Sequence, residues 1–305
     1  MSLPKSDMKT DLKKIRLRIV KITLSVIAAV GICLFLLRTV YALTLFNGLT
    51  GNLRDAGWTS EPTDSIMQKG EDLTYEASYL FFKIGQVKME MLGKTVYNGT
   101  EAYRVRAQID SYSGIPFVNL HATYNSYQNA KTFMCLGTDN IQKDGKDSIF
   151  TSYDIELHRK ILDWKRWNNG KLIEHAEVPL DKDYTDGLSF FYYIREACRK
   201  ASGVKTFLSI PMLIDTVRSA VNLTINEKKE ACSVTAYKYP LEAYRMSGHM
   251  NFTGFFGVTG DFTGWMSADS AEVPLKGDVS VIIGSVVVRL KDADRPGWIP
   301  PRSGD

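Results

Sequence analysis

Strict alternation of apolar and polar residues constrains this chain more than any other feature. Tyr103, Val105, Ala107 and Ile109 alternate with Arg104, Arg106 and Gln108. Val87, Met89 and Met91 alternate with Lys88 and Glu90, and Val118, Leu120, Ala122 and Tyr124 with Asn119, His121 and Thr123. Tyr153, Ile155 and Leu157 do the same with Asp154, Glu156 and His158. A period of two puts every second side chain on one face, which is the signature of antiparallel strands with one dry and one wet side. Asn98-Gly99, Asp144-Gly145 and Asn169-Gly170 lie between such runs. These pairs accept the positive φ of the tight hairpin turns that match strand twist. No βα alternation recurs, so a parallel sheet is not expected.

One stretch breaks the pattern. From Asp186 to Lys200, Phe190, Ile194, Ala197 and Cys198 recur at helical spacing, continued by Ala201. Asp186 can cap the helix N-terminus, and Arg199 and Lys200 suit its C-terminal dipole. Further strands are expected at roughly 204–210, 213–226, 230–239, 241–253, 259–267 and 277–291, the last being the most hydrophobic. About ten one-sided strands and one helix cannot cover a flat apolar face. The expected fold is therefore mainly β: a large antiparallel sheet curled into a barrel or half-barrel, with the helix on its concave side. Such a shell is either packed solid or encloses apolar space.

Charge sharpens the location. Residues 1–42 hold eight basic and two acidic groups, leaving 30 basic and 32 acidic of the chain's 38 and 34, a net −2 for the body. A nucleic-acid binder concentrates basic charge on its folded part, so no nucleic-acid partner is expected. The excess instead precedes an uncharged run from Ile22 to Leu37, where positive charge holds a segment on the cytoplasmic side. With Arg38 snorkelling, TVYALTLF extends this run to Phe46 and completes a span. Cleavage after Ala42 and retention as a helical anchor both fit; the long polar leader favours the anchor. The organisation read from this is a basic leader (1–21), a hydrophobic signal-anchor or signal peptide (22–46), a linker (47–68), a β-rich exported domain (69–292) and a Pro- and Gly-rich irregular tail (293–305).

Chemistry is sparse. His121, His158, His175 and His249 lack the spacing of a zinc site, and Cys135, Cys198 and Cys232 form no CxxC. Three free thiols, or one disulfide among three pairings, both fit. GxSxG, P-loop and HExxH motifs are absent. No cofactor, metal or catalytic residue is assigned. The run from Thr253 to Trp265 interleaves four glycines with Phe255, Phe256, Phe262 and Trp265. Glycines of this kind kink a curled sheet, or leave room for a ligand against the aromatics. Trp164 and Trp167 fall on opposite faces, so one is expected to be exposed.

Three stretches together resemble a known family: Gly70 to Tyr79 leading to Gly85, Asp186 to Arg195, and Trp265 to Asp269 with Pro274, Gly284 and Leu290. In their order and spacing they are similar to the domain of unknown function 3108 family of exported Gram-negative proteins. The resemblance spans about 68–292. It implies a periplasmic β-rich domain, held at the cell inner membrane if the anchor is kept, and no established activity. Between Asp269 and Pro274 the family usually carries an Arg, where this chain has Ala271 and Glu272. A salt bridge or anion contact made by that Arg would be absent here.

Three functions compete. The first is a non-enzymatic envelope protein binding an apolar ligand, a lipid or a lipidated protein, with Asp186, Arg195, Phe256 and Trp265 as ligand-binding candidates. The second is an envelope scaffold working through an exposed apolar patch, such as one around Trp167. The third is an envelope hydrolase with paired carboxylates such as Asp154 and Glu156.

Overall fold

The computed structural model describes residues 65–304 except 115–118, 145, 202, 251–259 and 281–284. The leader, the hydrophobic segment 22–46 and most of the linker lie outside the described residues. Among those described, no helix is long and apolar enough to cross a membrane. Arg54–Asp305 is a compact unit distinct from Met1–Leu53. Three buried clusters lie within that unit, so it carries a core of its own.

Among the described residues fourteen strands and one helix follow in order: β1 (Asp72–Tyr79), β2 (Phe82–Tyr97), β3 (Thr100–Ser111), β4 (His121–Asn129), β5 (Cys135–Asp144), β6 (Asp147–Glu156), β7 (Ile161–Asn168), β8 (Lys171–Pro179), α1 (Gly187–Ala201), β9 (Thr206–Ile214), β10 (Val217–Cys232), β11 (Leu241–Met250), β12 (Gly260–Ser267), β13 (Pro274–Ser280) and β14 (Ser285–Asp294). They form a single antiparallel sheet in the order β8-β7-β6-β5-β4-β3-β2-β1-β14-β13-β12-β11-β10-β9. The sheet is curled and does not close into a barrel, since β8 and β9 are its two edges. Every neighbour but one is a sequence neighbour; β1 and β14 join the two ends of the meander.

The hairpin turns follow from residue chemistry. Asn98 and Gly99 sit at φ 46° and 78°, and Asn169 and Gly170 at 49° and 78°. These are left-handed conformations that Asn and Gly accept at low cost. Three strand expectations are corrected: the chain turns between Ile214 and Val217 inside the expected 213–226, and 233–240 is irregular within and beyond the expected 230–239. A single strand over 277–291 is instead two strands, because Ser280 pairs with Ser285 and the chain reverses between them. The run is apolar on both sides of the reversal, so periodicity alone carries no sign of the turn.

Helix α1 starts where Asp186 caps it. The Asp186 carboxylate accepts from the Leu188 and Ser189 amides at 3.3 and 3.1 Å, while Ser189 Oγ accepts from the Asp186 amide at 2.7 Å. This reciprocal cap satisfies donors the helix leaves open. Leu188 and Tyr192 pack with Leu73, Met91, Tyr103 and Leu290, and Phe190, Ile194 and Cys198 with Leu208, Val221 and Met246. The helix thus lies on the concave face, each buried large apolar side chain contributing about 1.5–3 kcal/mol. Just before it, the Thr185 amide donates to the Pro211 carbonyl (2.9 Å), Leu213 donates to Thr185 (2.8 Å) and Cys135 to Tyr184 (2.8 Å). Two residues therefore bridge β5 to the edge strand β9 at this end of the shell.

Candidate functional site

Cross-strand pairing sorts the sheet into two ends. At one, the chain passes through α1 and the segments between β10 and β11 and between β12 and β13. At the other lie the β1–β2, β5–β6 and β7–β8 tips, while the β9–β10 tip reaches the far end of β8, where Arg218 donates to the Pro179 carbonyl at 3.0 Å.

The first end is locked by charge. Glu71, just before β1, is 1% exposed. The Arg195 guanidinium grips it in bidentate fashion at 2.6 and 2.8 Å and also donates to the Ala271 carbonyl at 2.9 and 3.2 Å. Arg295 is the second guanidinium on Glu71, and it also donates to the Ser65 carbonyl. Burial works against the Arg195 charge, but Glu71 outweighs it and the Arg195 pKa rises. For Arg295 burial wins, and its pKa falls. Asp269 sets up the turn that aims Ala271. It accepts from Ser267 Oγ (2.8 Å), the amides of Ala271 and Glu272 (3.0 and 3.1 Å) and Trp298 Nε1 (2.7 Å). Next to it Glu272 is buried with Oε2 unpartnered. Burial, with repulsion from Asp269, pushes its carboxyl up to about 9 against the pull of Arg195, Arg199 and Lys229.

The candidate residues fall in different places. Asp186 caps α1 and Arg195 lies within it, but both are fully engaged: Asp186 with the cap and Ser126 Oγ (2.9 Å), Arg195 with Glu71 and Ala271. Trp265 pairs across the sheet with Arg245 and Lys276. It lies on the face opposite Gly264 and Met266, its Nε1 donating to Glu230 at 2.5 Å and the Lys276 amine over its ring at 4.2 Å. It is therefore not brought together with the helix pair. Phe256 lies outside the described residues. Asp154 accepts from Asn98 (2.7 Å), and Glu156 from Arg159 (3.1 Å). Cys135, Cys198 and Cys232 are free and buried, with burial raising each thiol. Among the described residues no three His, Cys, Asp or Glu side chains are grouped as a metal site.

Sequence reasoning missed the concave wall beyond the helix. Register places Ala77, Val288, Val279, Phe262, Met250 and Ile214 on the inner face, all only partly buried. Facing strands continue that face with polar groups: Thr138, Asn140, Thr151, Arg166 and Asn168. Arg166 stacks on Trp164 at 4.8 Å and reaches Asp215 at 3.1 Å. Buried polar atoms without partners include Thr138 Oγ1, Arg166 Nε and Asn168 Oδ1 on these strands, and nearer the helix end Trp164 Nε1 and both amide atoms of Gln128. Such groups ordinarily find a partner, because leaving one unpaired costs about 1–3 kcal/mol. Two small cavities, about 20 and 10 Å³, lie at the helix end and hold single waters at most.

Fold and site define an open, curled antiparallel shell plugged at one end by a helix, with an inner wall half apolar and half polar. The chain belongs to the DUF3108 family, described as a protein of unknown function, whose model matches residues 74–291. Two of the stretches that carried the resemblance meet directly, Glu71 with Arg195, and Arg195 also reaches Ala271, which lies between Asp269 and Pro274 of the third. No curated protein matches the sequence. Two solved structures are similar. One is a β-barrel-like protein of domain of unknown function DUF1849 from Brucella abortus, with TM-score 0.49 and 9% identity, covering 73% of this chain and 96% of that one. The other is a Bacteroides fragilis protein with a YmcC-like fold, described as exported, with TM-score 0.34 and 8% identity over 75% and 97%. Neither likeness bears on function.

Proposed function

We propose that this chain is a non-catalytic envelope protein, exported and held at the cell inner membrane by its segment 22–46, that binds an amphipathic lipid or a lipidated protein along the concave wall. The observation that carries the reading is the two-sided chemistry of that wall. Ala77, Val288, Phe262 and Met250 offer apolar surface to an acyl chain, and the partly exposed Asn140, Arg166 and Asn168 on the same face offer polar groups to a headgroup. Helix α1 covers only part of the concave face, so the reading is of an open wall and not of an enclosed pocket. Purification of residues 54–305 from an envelope extract, followed by mass spectrometry of bound lipid, tests it. A stoichiometric amphiphile, reduced by Arg166→Glu, is expected. Protein that comes off without any amphiphile under mild conditions overturns the reading and leaves a scaffold acting through protein contacts.

A further inference from the structure

The polar half of the concave wall has a defined chemistry. Asn140 and Gln142 lie two residues apart on the inner face of β5. Register carries each across β6 to β7: Asn140 to Thr151 and Arg166, Gln142 to Ile149 and Asn168. Neighbouring strands lie about 4.8 Å apart and alternate residues about 7 Å, so Asn140, Gln142, Arg166 and Asn168 mark the corners of a patch of about 10 by 7 Å. All four are partly exposed. Among the described residues, the side-chain amides of Asn140, Gln142 and Asn168 have no hydrogen-bonding partner. Each amide can both donate and accept.

Charge on this patch is balanced. The Arg166 guanidinium lies between Asp215 at 3.1 Å and Glu174 at 3.5 Å. Lys171, paired across from Asn168, is the other cation on this face, so two cations meet two carboxylates. The β5–β6 turn adds one of each sign, Lys146 and Asp147. The apolar half, from Ala77 and Val288 to Phe262 and Met250, adds no charged side chain among the described residues. An anionic headgroup reaching this wall leaves water without meeting an excess of cations, a cost that an uncharged polar group does not incur.

We infer that the amphiphile of this wall carries an uncharged glycosyl headgroup, seated on Asn140, Gln142 and Asn168, with its acyl chain toward Phe262 and Met250. The inference rests on the reading of the wall as an amphiphile site and selects within it. Sugar hydroxyls donate and accept as the three amides do, and one or two sugar rings cover a patch of this size. The free groups form a compact patch and not a line, which suits a ring better than an extended peptide, whose groups repeat along one strand direction.

The test titrates residues 54–305 by calorimetry with three amphiphiles of one chain length, each below its micellar concentration: decyl maltoside, decyl phosphate and a decanoylated tripeptide amide. Decyl maltoside is expected to bind roughly tenfold more tightly than either of the others, with an affinity that stays level as salt rises. Asn140→Ala/Gln142→Ala is expected to weaken decyl maltoside about tenfold, through the loss of two hydrogen-bonding groups, and to leave decyl phosphate unaltered. The melting temperature reports that the variant folds. Asn140→Lys/Gln142→Lys is expected to reverse the order and favour decyl phosphate. Decyl phosphate or the tripeptide binding as tightly as decyl maltoside overturns the glycosyl assignment and leaves the amphiphile reading intact. So does decyl maltoside binding equally to wild type and the folded alanine variant. No binding of any of the three overturns the amphiphile reading, and the inference with it.

Discussion

The two ends of the sheet obey opposite rules. At the helix end, polar groups are buried and mostly paired: Glu71 holds two guanidinium groups, Asp186 holds a cap, and the three described cysteines lie in apolar surroundings. At the other end apolar groups such as Leu80, Phe81 and Phe82 are exposed. The first arrangement ties sequence-distant segments into one fold. The second leaves apolar surface uncovered, which is what binding requires. Stability and function are thereby segregated along the strands.

Breaking the helix end should have the largest effect. Glu71→Ala leaves Arg195 and Arg295 buried without their anion, and we expect a loss of about 3–5 kcal/mol in urea unfolding of residues 54–305. A loss under about 1 kcal/mol would place the lock elsewhere. Next comes Glu272. Its folded pKa of about 9 exceeds the ordinary 4.5, so the folded state keeps a proton that the unfolded state gives up. Stability from this group is intact below pH 4.5 and is lost as pH rises toward 9. Between pH 6 and 8 wild type should lose up to about 2.7 kcal/mol relative to Glu272→Gln, measured by urea unfolding at each pH. Parallel pH profiles would contradict this. Asp186→Ala should cost about 1–2 kcal/mol through the lost cap, with Ser126 orphaned as well. The smallest effect has the opposite sign. Leu80→Asn should gain up to about 1 kcal/mol by suiting the left-handed β1–β2 turn, where Leu80 holds φ 53°. A destabilised Leu80→Asn would mean that the tip serves the fold.

Much of the fold is legible in local sequence. Period-two runs, Asn-Gly turns and the Asp186 cap act over a few residues, and the structure follows them. Curling was legible by elimination, since one helix cannot hide so many one-sided strands. The reversal between Ser280 and Ser285 was not, because apolar residues continue through it. Nor was the Glu71–Arg195–Arg295 lock, whose partners lie 124 and 224 residues apart with no local signal. The resemblance came nearest, since two of its stretches supply Glu71 and Arg195. Asp186 and Arg195 stood out in sequence, and both are occupied by intramolecular partners. The inner wall was hidden because Arg166, Asn168 and Thr138 become neighbours only when β5 to β7 pair, and because a polar residue facing inward reads locally like one facing water.

Amide hydrogen exchange of residues 54–305, with and without decyl maltoside, tests the segregation of the two ends most directly. Protection gained around residues 138–142 and 166–168, with α1 and residues 69–75 unchanged, is the expected result. Protection spreading through α1, or no gain at Asn140 to Gln142, would contradict it.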